Sequence, residues 1–360
     1  MHASSPILLF LASTAVYAAP TSLPPTSAQV NDPKYGPIPG QSTVFNTYRG
    51  KEPTFPGNDS APIFPTTKGP PGPDDLLFQN LLSAEWVIFS FYQQAVSTFN
   101  ARSFTALGFP NHTYDRIQEI RDNENGHLRI FQDSISSNSY KPGPCEYSFG
   151  FGADPVAFLA TQTLIEVASM AFLTGLVQQA QLNASKGALT AASQTETRHE
   201  VWALIDIWKT SPFGGPIDTV YPYANQIMDL TNTFIIPGSC PRSNPVYPDP
   251  RQGLPRISTV DGTKSLQAGQ EIEVTFSEAP EFETGKSYSA VFFHGFLNVT
   301  VPFDRATNKT TIPATFENLG LTMMVLADEA GAPSLDSVVA GPMIIVNQPA
   351  AISVELSEAS

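Results

Sequence analysis

Apolar residues recur with a helical period over four long stretches in the first two thirds of the chain and with a period of two in the last third. The spacing predicts a first helix over 75–99, opened by Pro73 and Asp74. A second is predicted over 113–136, with Ile117, Ile120, Leu128, Phe131 and Ile135 as its inward stripe. The third, over 155–182, is almost wholly apolar and begins with Asp154 as cap and Pro155 at the first helical position. The fourth is expected over 188–209 after a Lys186–Gly187 turn, and a shorter fifth over 223–234.

From Arg256 onward, Ile272, Val274 and Phe276 alternate with Glu271, Glu273 and Thr275. Further short runs (SYSAVFFH, LNVTV, TTIPATF, LTMMVLA, VVAGPMIIV) are separated by turn residues. About seven such strands predict an antiparallel β-sandwich of immunoglobulin-like type.

The connections set the helical topology. About a dozen residues join helices one and two, only a few join three and four, and a Gly- and Pro-rich stretch joins two and three. Two hairpins linked by one long crossover make a four-helix bundle. The resulting organisation is a leader (1–18), a Pro-rich extended arm (19–73), the bundle (74–236), a Pro-rich linker (237–255), the sandwich (256–347) and a tail (348–360).

Two helices carry a carboxylate where the pattern asks for an apolar residue. Glu85 shares a face with Leu81, Leu82, Ile88 and Phe89, and Glu166 interrupts the run FLATQTLIEVASMAFLTGLV. An unpaired buried carboxylate is costly, so each needs protons, cations or metal beside it. The other two helices each carry Glu-x-x-His, as Glu124/His127 and Glu196/His199. That spacing sets carboxylate and imidazole side by side. A single Glu-x-x-His is common on helix surfaces. Here, however, two of the four histidines left after leader removal fall in this pattern, on the two expected helices.

Four carboxylates and two imidazoles suit two metal ions. Iron or manganese fits such hard donors best, and zinc is compatible. Tyr92, two turns after Glu85, reads first as core packing, with relaying an electron or hydrogen-bonding a ligand as the alternative, and Gln162, one turn before Glu166, is a candidate donor to a ligand carboxylate. Arg121 and Asp122 are expected as a surface or supporting pair, and His112 and His294 as ordinary surface or loop residues.

The segments LLSAEWVIF, RDNENGHLRIF, TQTLIEVASM and SQTETRHEVWAL resemble those of the ferritin-like superfamily. More closely, they are similar to fungal secreted stress-response proteins related to plant desiccation-related proteins. The resemblance covers about residues 70–240 and implies a bundle with a dinuclear site, without fixing a reaction. Ribonucleotide reductase small subunits carry a Tyr where this chain has Phe131, and bacterial multicomponent monooxygenases a Thr where it has Met170. Both activities are therefore disfavoured. Manganese catalases share the ligand pattern, which keeps peroxide dismutation open.

Charge and composition locate the chain. With 19 Lys and Arg against 33 Asp and Glu, the net charge is −14, which disfavours nucleic acid and anionic membranes as partners. Apolar residues 7–16, followed by small residues, predict a secretory signal cleaved after Ala18, although no Lys or Arg precedes the run. Sequons at Asn58, Asn111, Asn183, Asn298 and Asn308 predict N-glycosylation. Cys145 and Cys240, the only cysteines, are expected to pair in an oxidising compartment, two free thiols being the alternative. No apolar tail for a membrane anchor follows the sandwich.

The expectation is a protein of the cell exterior or wall. Its centre would act on dioxygen or peroxide. Alternatively it is a non-catalytic stress or surface protein whose sandwich binds wall polysaccharide or protein. A metal-storage role would require a large symmetric oligomer.

Overall fold

The computed structural model describes residues 62–214, 218–223, 226–244, 253–260, 266–316 and 320–346. The leader, most of the arm with Asn58, the middle of the linker and the tail lie outside these residues.

Helices α1 (Asp75–Thr98), α3 (Thr113–Ser134), α4 (Pro155–Gln179) and α5 (Asn183–Trp202) form the bundle, α5 running on into a π-helical turn, Ala203–Ile207. A short α2 (Ala101–Thr105) completes the α1–α3 connection and α6 (Ile227–Thr231) follows the bundle. Helix α1 packs along α3 and α4 along α5, the two expected hairpins.

Asp154 caps α4, accepting from Val156 N at 2.8 Å and Ala157 N at 3.3 Å. Helix α4 alone among the described helices has the length and apolarity to cross a bilayer, but it is buried inside the protein.

Two helix boundaries depart from the sequence pattern, for one reason. Helix α4 stops at Gln179 and α5 starts at Asn183, so Gly187 lies inside α5 and not in a turn. Asp74 fixes the turn earlier: its carboxylate accepts from Gln181 N at 2.8 Å and Leu182 N at 3.0 Å. The neighbouring Asp75 accepts from Ser136 N at 2.9 Å, at the end of α3. The start of α1 thereby clasps the ends of both hairpins. The fifth predicted helix is also shorter, a single α-turn continued by a 3-10 turn over Asn232–Phe234.

The C-terminal part holds β1 (Ile257–Thr259), β2 (Glu271–Phe276), β3 (Tyr288–His294), β4 (Leu297–Phe303), β5 (Lys309–Thr311), β6 (Leu321–Ala327) and β7 (Val338–Val346). They form two antiparallel sheets, ordered β1-β2-β5 and β4-β3-β6-β7. Strand β2 alternates as expected, with Ile272 and Val274 inward. Strand β6 is buried at every position, the mark of a strand covered on both faces.

One face of the larger sheet, with Phe292, Met324 and Leu326, packs on the smaller sheet. The other, with Phe293, Met323 and Val325, packs on Val167, Met170 and Phe172 of α4. The two parts of the protein thus share a core.

A strap over 218–223 lies between them. Tyr221 N donates to Ala171 O at 3.2 Å and Val220 N to Gly295 O at 2.9 Å. Cys145, in the crossover, is disulfide-bonded to Cys240. Closing a loop of this length stabilises by about 4–5 kcal/mol in the chain-entropy view.

Gly175 is where the strap touches α4: a Cβ there would stand 1.7 Å from Tyr221 O. Gly175→Ala is expected to displace the strap and lower stability by about 2–3 kcal/mol. Denaturant unfolding checks this, and an unchanged midpoint would contradict the packing.

Candidate metal centre

Each of the six donor side chains reaches the bundle interior because its helix buries that face. Glu124 and Glu166 have no exposed surface, Glu196 has 1%, Glu85 4%, and His127 and His199 5% each. On α3 the stripe Ile117, Ile120, Leu128 and Phe131 is buried and carries Glu124 and His127 with it. On α5, Ala192 and Ala203 flank Glu196 and His199, their small side chains also buried.

The six converge in two overlapping groups. Donor atoms of Glu85, Glu124 and His127 lie within 4.8 Å of one another, as do those of Glu124, Glu166, Glu196 and His199. The Nδ1 of His127 is 3.0 Å from Glu124 Oε2, 3.2 Å from Glu196 Oε1 and 3.6 Å from Glu85 Oε1. The Nδ1 of His199 is 3.0 Å from Glu124 Oε1, 3.2 Å from Glu166 Oε2 and 3.4 Å from Glu196 Oε2. Glu124 and Glu196 therefore each give one oxygen to either side. Glu85 with His127, and Glu166 with His199, close the two ends.

Burial and mutual repulsion act on these groups together. Burial pushes the carboxyls of Glu85 and Glu166 far above the usual range, and neighbouring carboxylates add to it. Burial would raise Glu124 and Glu196 too, but the imidazoles beside them hold both below it. For His127 and His199, burial favours the neutral ring, and the facing carboxylates overcome it and hold both cationic.

The residues fit a pair of divalent cations. Four buried carboxylates and two buried imidazoles bring their donor atoms together in two groups, each within 4.8 Å, a concentration of acceptors that cations satisfy. Oxygen and imidazole donors match iron, manganese or zinc.

The supporting residues follow only in part from sequence. Tyr92 is fully buried and its hydroxyl donates to Glu166 Oε1; it is more than core filler. Gln162, also fully buried, faces the Tyr92 oxygen.

Asn123 was not apparent in the sequence. Its Oδ1 lies 3.1 Å from His199 Nε2, which holds the proton on Nε2 and leaves Nδ1 for the cluster. No spacing rule marks it; only its place beside Glu124 could have drawn attention. Arg121 and Asp122 are no surface pair: both are buried, with Arg121 Nη2 2.8 Å from Asp122 Oδ1. Burial lifts Asp122 to about 6 even against Arg121.

Of the remaining histidines, His112 is an exposed partner of Asp206 at 2.8 Å. His294 ends β3 and stacks on Phe316 with ring centroids 3.9 Å apart.

Two measurements probe this electrostatic arrangement. Loading divalent ions is expected to release protons from the cluster, with affinity falling as pH drops. Calorimetry in buffers of different ionisation enthalpy detects the release, and binding with no proton release would contradict the raised Glu85 and Glu166 carboxyls and His127 and His199 rings. Glu200, 2% exposed, is raised by burial to about 7. Between 4.5, the ordinary value, and 7 the folded chain retains a proton that the unfolded chain loses, so stability falls as pH rises through that window. Glu200→Gln should flatten that fall in denaturation curves from pH 4 to 8.

Comparison with known proteins agrees with the geometry. The ferritin-like domain family matches at residues 74–205. No curated protein matches the chain. Residues 74–205 form a ferritin-like helical domain with a buried Glu/His cluster positioned for metal binding.

Proposed function

We propose that this chain is a secreted oxidoreductase of stress response, holding two iron or manganese ions and acting on dioxygen or peroxide. In this it would resemble the fungal secreted stress-response proteins related to plant desiccation-related proteins. One observation carries the reading: Glu124 and Glu196 each place an oxygen near both imidazoles, the arrangement expected of bridging carboxylates between two ions.

Two redox-active ions in such a site supply the electrons that reduce dioxygen or dismutate peroxide. Glu85 and His127 would hold one ion at one end, Glu166 and His199 the other. Tyr92 orients Glu166 through its hydrogen bond, and Phe131 stacks on the His127 ring at 6.1 Å, limiting its rotation and water entry.

Secretion is supported by the apolar run at 7–16 and the Cys145–Cys240 disulfide. Asn111, Asn183 and Asn298 are exposed, as glycan attachment requires, and Asn308 is half-buried.

A second reading is a non-catalytic surface protein with a structural ion. It is favoured by the β3–β4 tip, where Phe296 is 81% and Leu297 60% exposed, an apolar pair suited to stacking on wall polysaccharide.

Protein purified from the secretion medium is expected to contain about two iron or manganese ions and to consume oxygen or peroxide. Glu124→Gln should remove most of the metal and at least about 100-fold of turnover. Bound metal without turnover, together with retention on wall polymers lost on Phe296→Ala, would favour the second reading. No metal after loading with ferrous, manganous or zinc ions would end both.

A further inference from the structure

The outer face of α5 departs from the polar surface that a bundle helix turns to water. Val201, Trp202 and Ile205, with Arg198 and Asp206, line an open and mainly apolar groove of about 330 Å³. Ile205 is 46% exposed, and Val201 and Trp202 are half-buried. Arg198 is exposed and makes no side-chain hydrogen bond or ion pair among the described residues.

This groove adjoins a sequon. Asp206 Oδ2 is 2.8 Å from His112 Nε2, and His112 is the middle residue of Asn111-His112-Thr113. Asn111 is exposed and sits in the turn that opens α3. Its Cα is about 3.8 Å from that of a residue whose side chain touches the groove wall. Asn183, the sequon at the start of α5, is by contrast about 22 Å from Arg198 along the helix axis.

The chemistry of the groove suits a sugar. A pyranose ring presents C–H bonds on one face, which pack on an indole or an aliphatic side chain. Its hydroxyl and N-acetyl groups project from the rim. Arg198, which only donates, matches the acetyl carbonyl, and the Asp206 carboxylate, which only accepts, matches hydroxyl groups.

We propose that Asn111 carries an N-linked oligosaccharide whose first sugars lie in this groove, with their apolar faces on Trp202 and Ile205. Attachment joins Asn111 Nδ2 to C1 of the first N-acetylglucosamine, delivered on a lipid diphosphate. The bond from C1 to the diphosphate oxygen breaks, the diphosphate leaves with the electron pair, and the amide nitrogen gives up one proton. The glycan then covers the apolar outer face of the helix that bears Glu196 and His199. It also ties the start of α3 to the end of α5, beside the His112–Asp206 contact. The inference rests on the proposed secretory route, and on neither metal nor turnover.

The full chain, secreted from a eukaryotic host, would be mapped for occupied sequons by mass spectrometry. It would then be exposed to hydroxyl radicals with and without prior glycan removal by a peptide N-glycanase. Trp202 and Ile205 are expected to be oxidised severalfold faster once the glycan is gone, with half-buried Trp208 unchanged. Asn111→Gln should reproduce the rise and Asn183→Gln should not. Enzymatic removal acts on folded protein, so the readout survives a variant that folds poorly. Arg198→Ala leaves the sequon intact and should raise Ile205 oxidation in the glycosylated chain only. Glycans elsewhere with Asn111 bare, or equal oxidation of Trp202 and Ile205 with and without the glycan, overturns the docking and leaves the secretory reading standing. A chain bare at every sequon counts against the secretory reading, and the docking falls with it.

Discussion

Confining four carboxylates and two imidazoles within an apolar bundle is the constraint around which the rest of the protein is arranged. Charges removed from water must be cancelled locally. Here the cancellation comes from within the set, with Glu124 and Glu196 lying against both rings. The same closeness that sets each imidazole against its carboxylates presents oxygens to a pair of cations.

Holding six donors in register needs rigid helix ends and a rigid wall. Asp74 and Asp75 supply the first, joining the start of α1 to the α4–α5 turn and the end of α3. The larger sheet supplies the second by packing on Val167, Met170 and Phe172, residues that directly follow Glu166 on α4. The cost of a buried polar cluster is offset by apolar burial on every side of the helices that carry it.

Much of this was legible in the sequence, because periodicity encodes which face of a helix is buried. Glu85 and Glu166 stand out as charges on apolar faces, and Glu-x-x-His spacing marks α3 and α5. The antiparallel strands were expected from about seven short runs, with β2 alternating as predicted, whereas the burial of β6 at every position was not anticipated. What escaped were effects of tertiary contact. Gly187 looked like a turn residue by its local chemistry, yet hydrogen bonds from a distant aspartate moved the turn to residues 180–182. Asn123 and Thr163 are ordinary polar residues until the fold brings His199 and Trp208 to them. The π-turn leaves no pattern in the apolar spacing at all.

The sheet shared between the two cores has an evolutionary implication. A module joined only by a linker can be lost or exchanged with little harm to its neighbour. Here, removing the strands would leave Met170 and Phe172 facing water on the helix that bears Glu166. The sandwich and the bundle are thus tied to a common fate: substitutions in β6 would be felt by the helix that presents the acid, and sequence change in one part must be accommodated by the other.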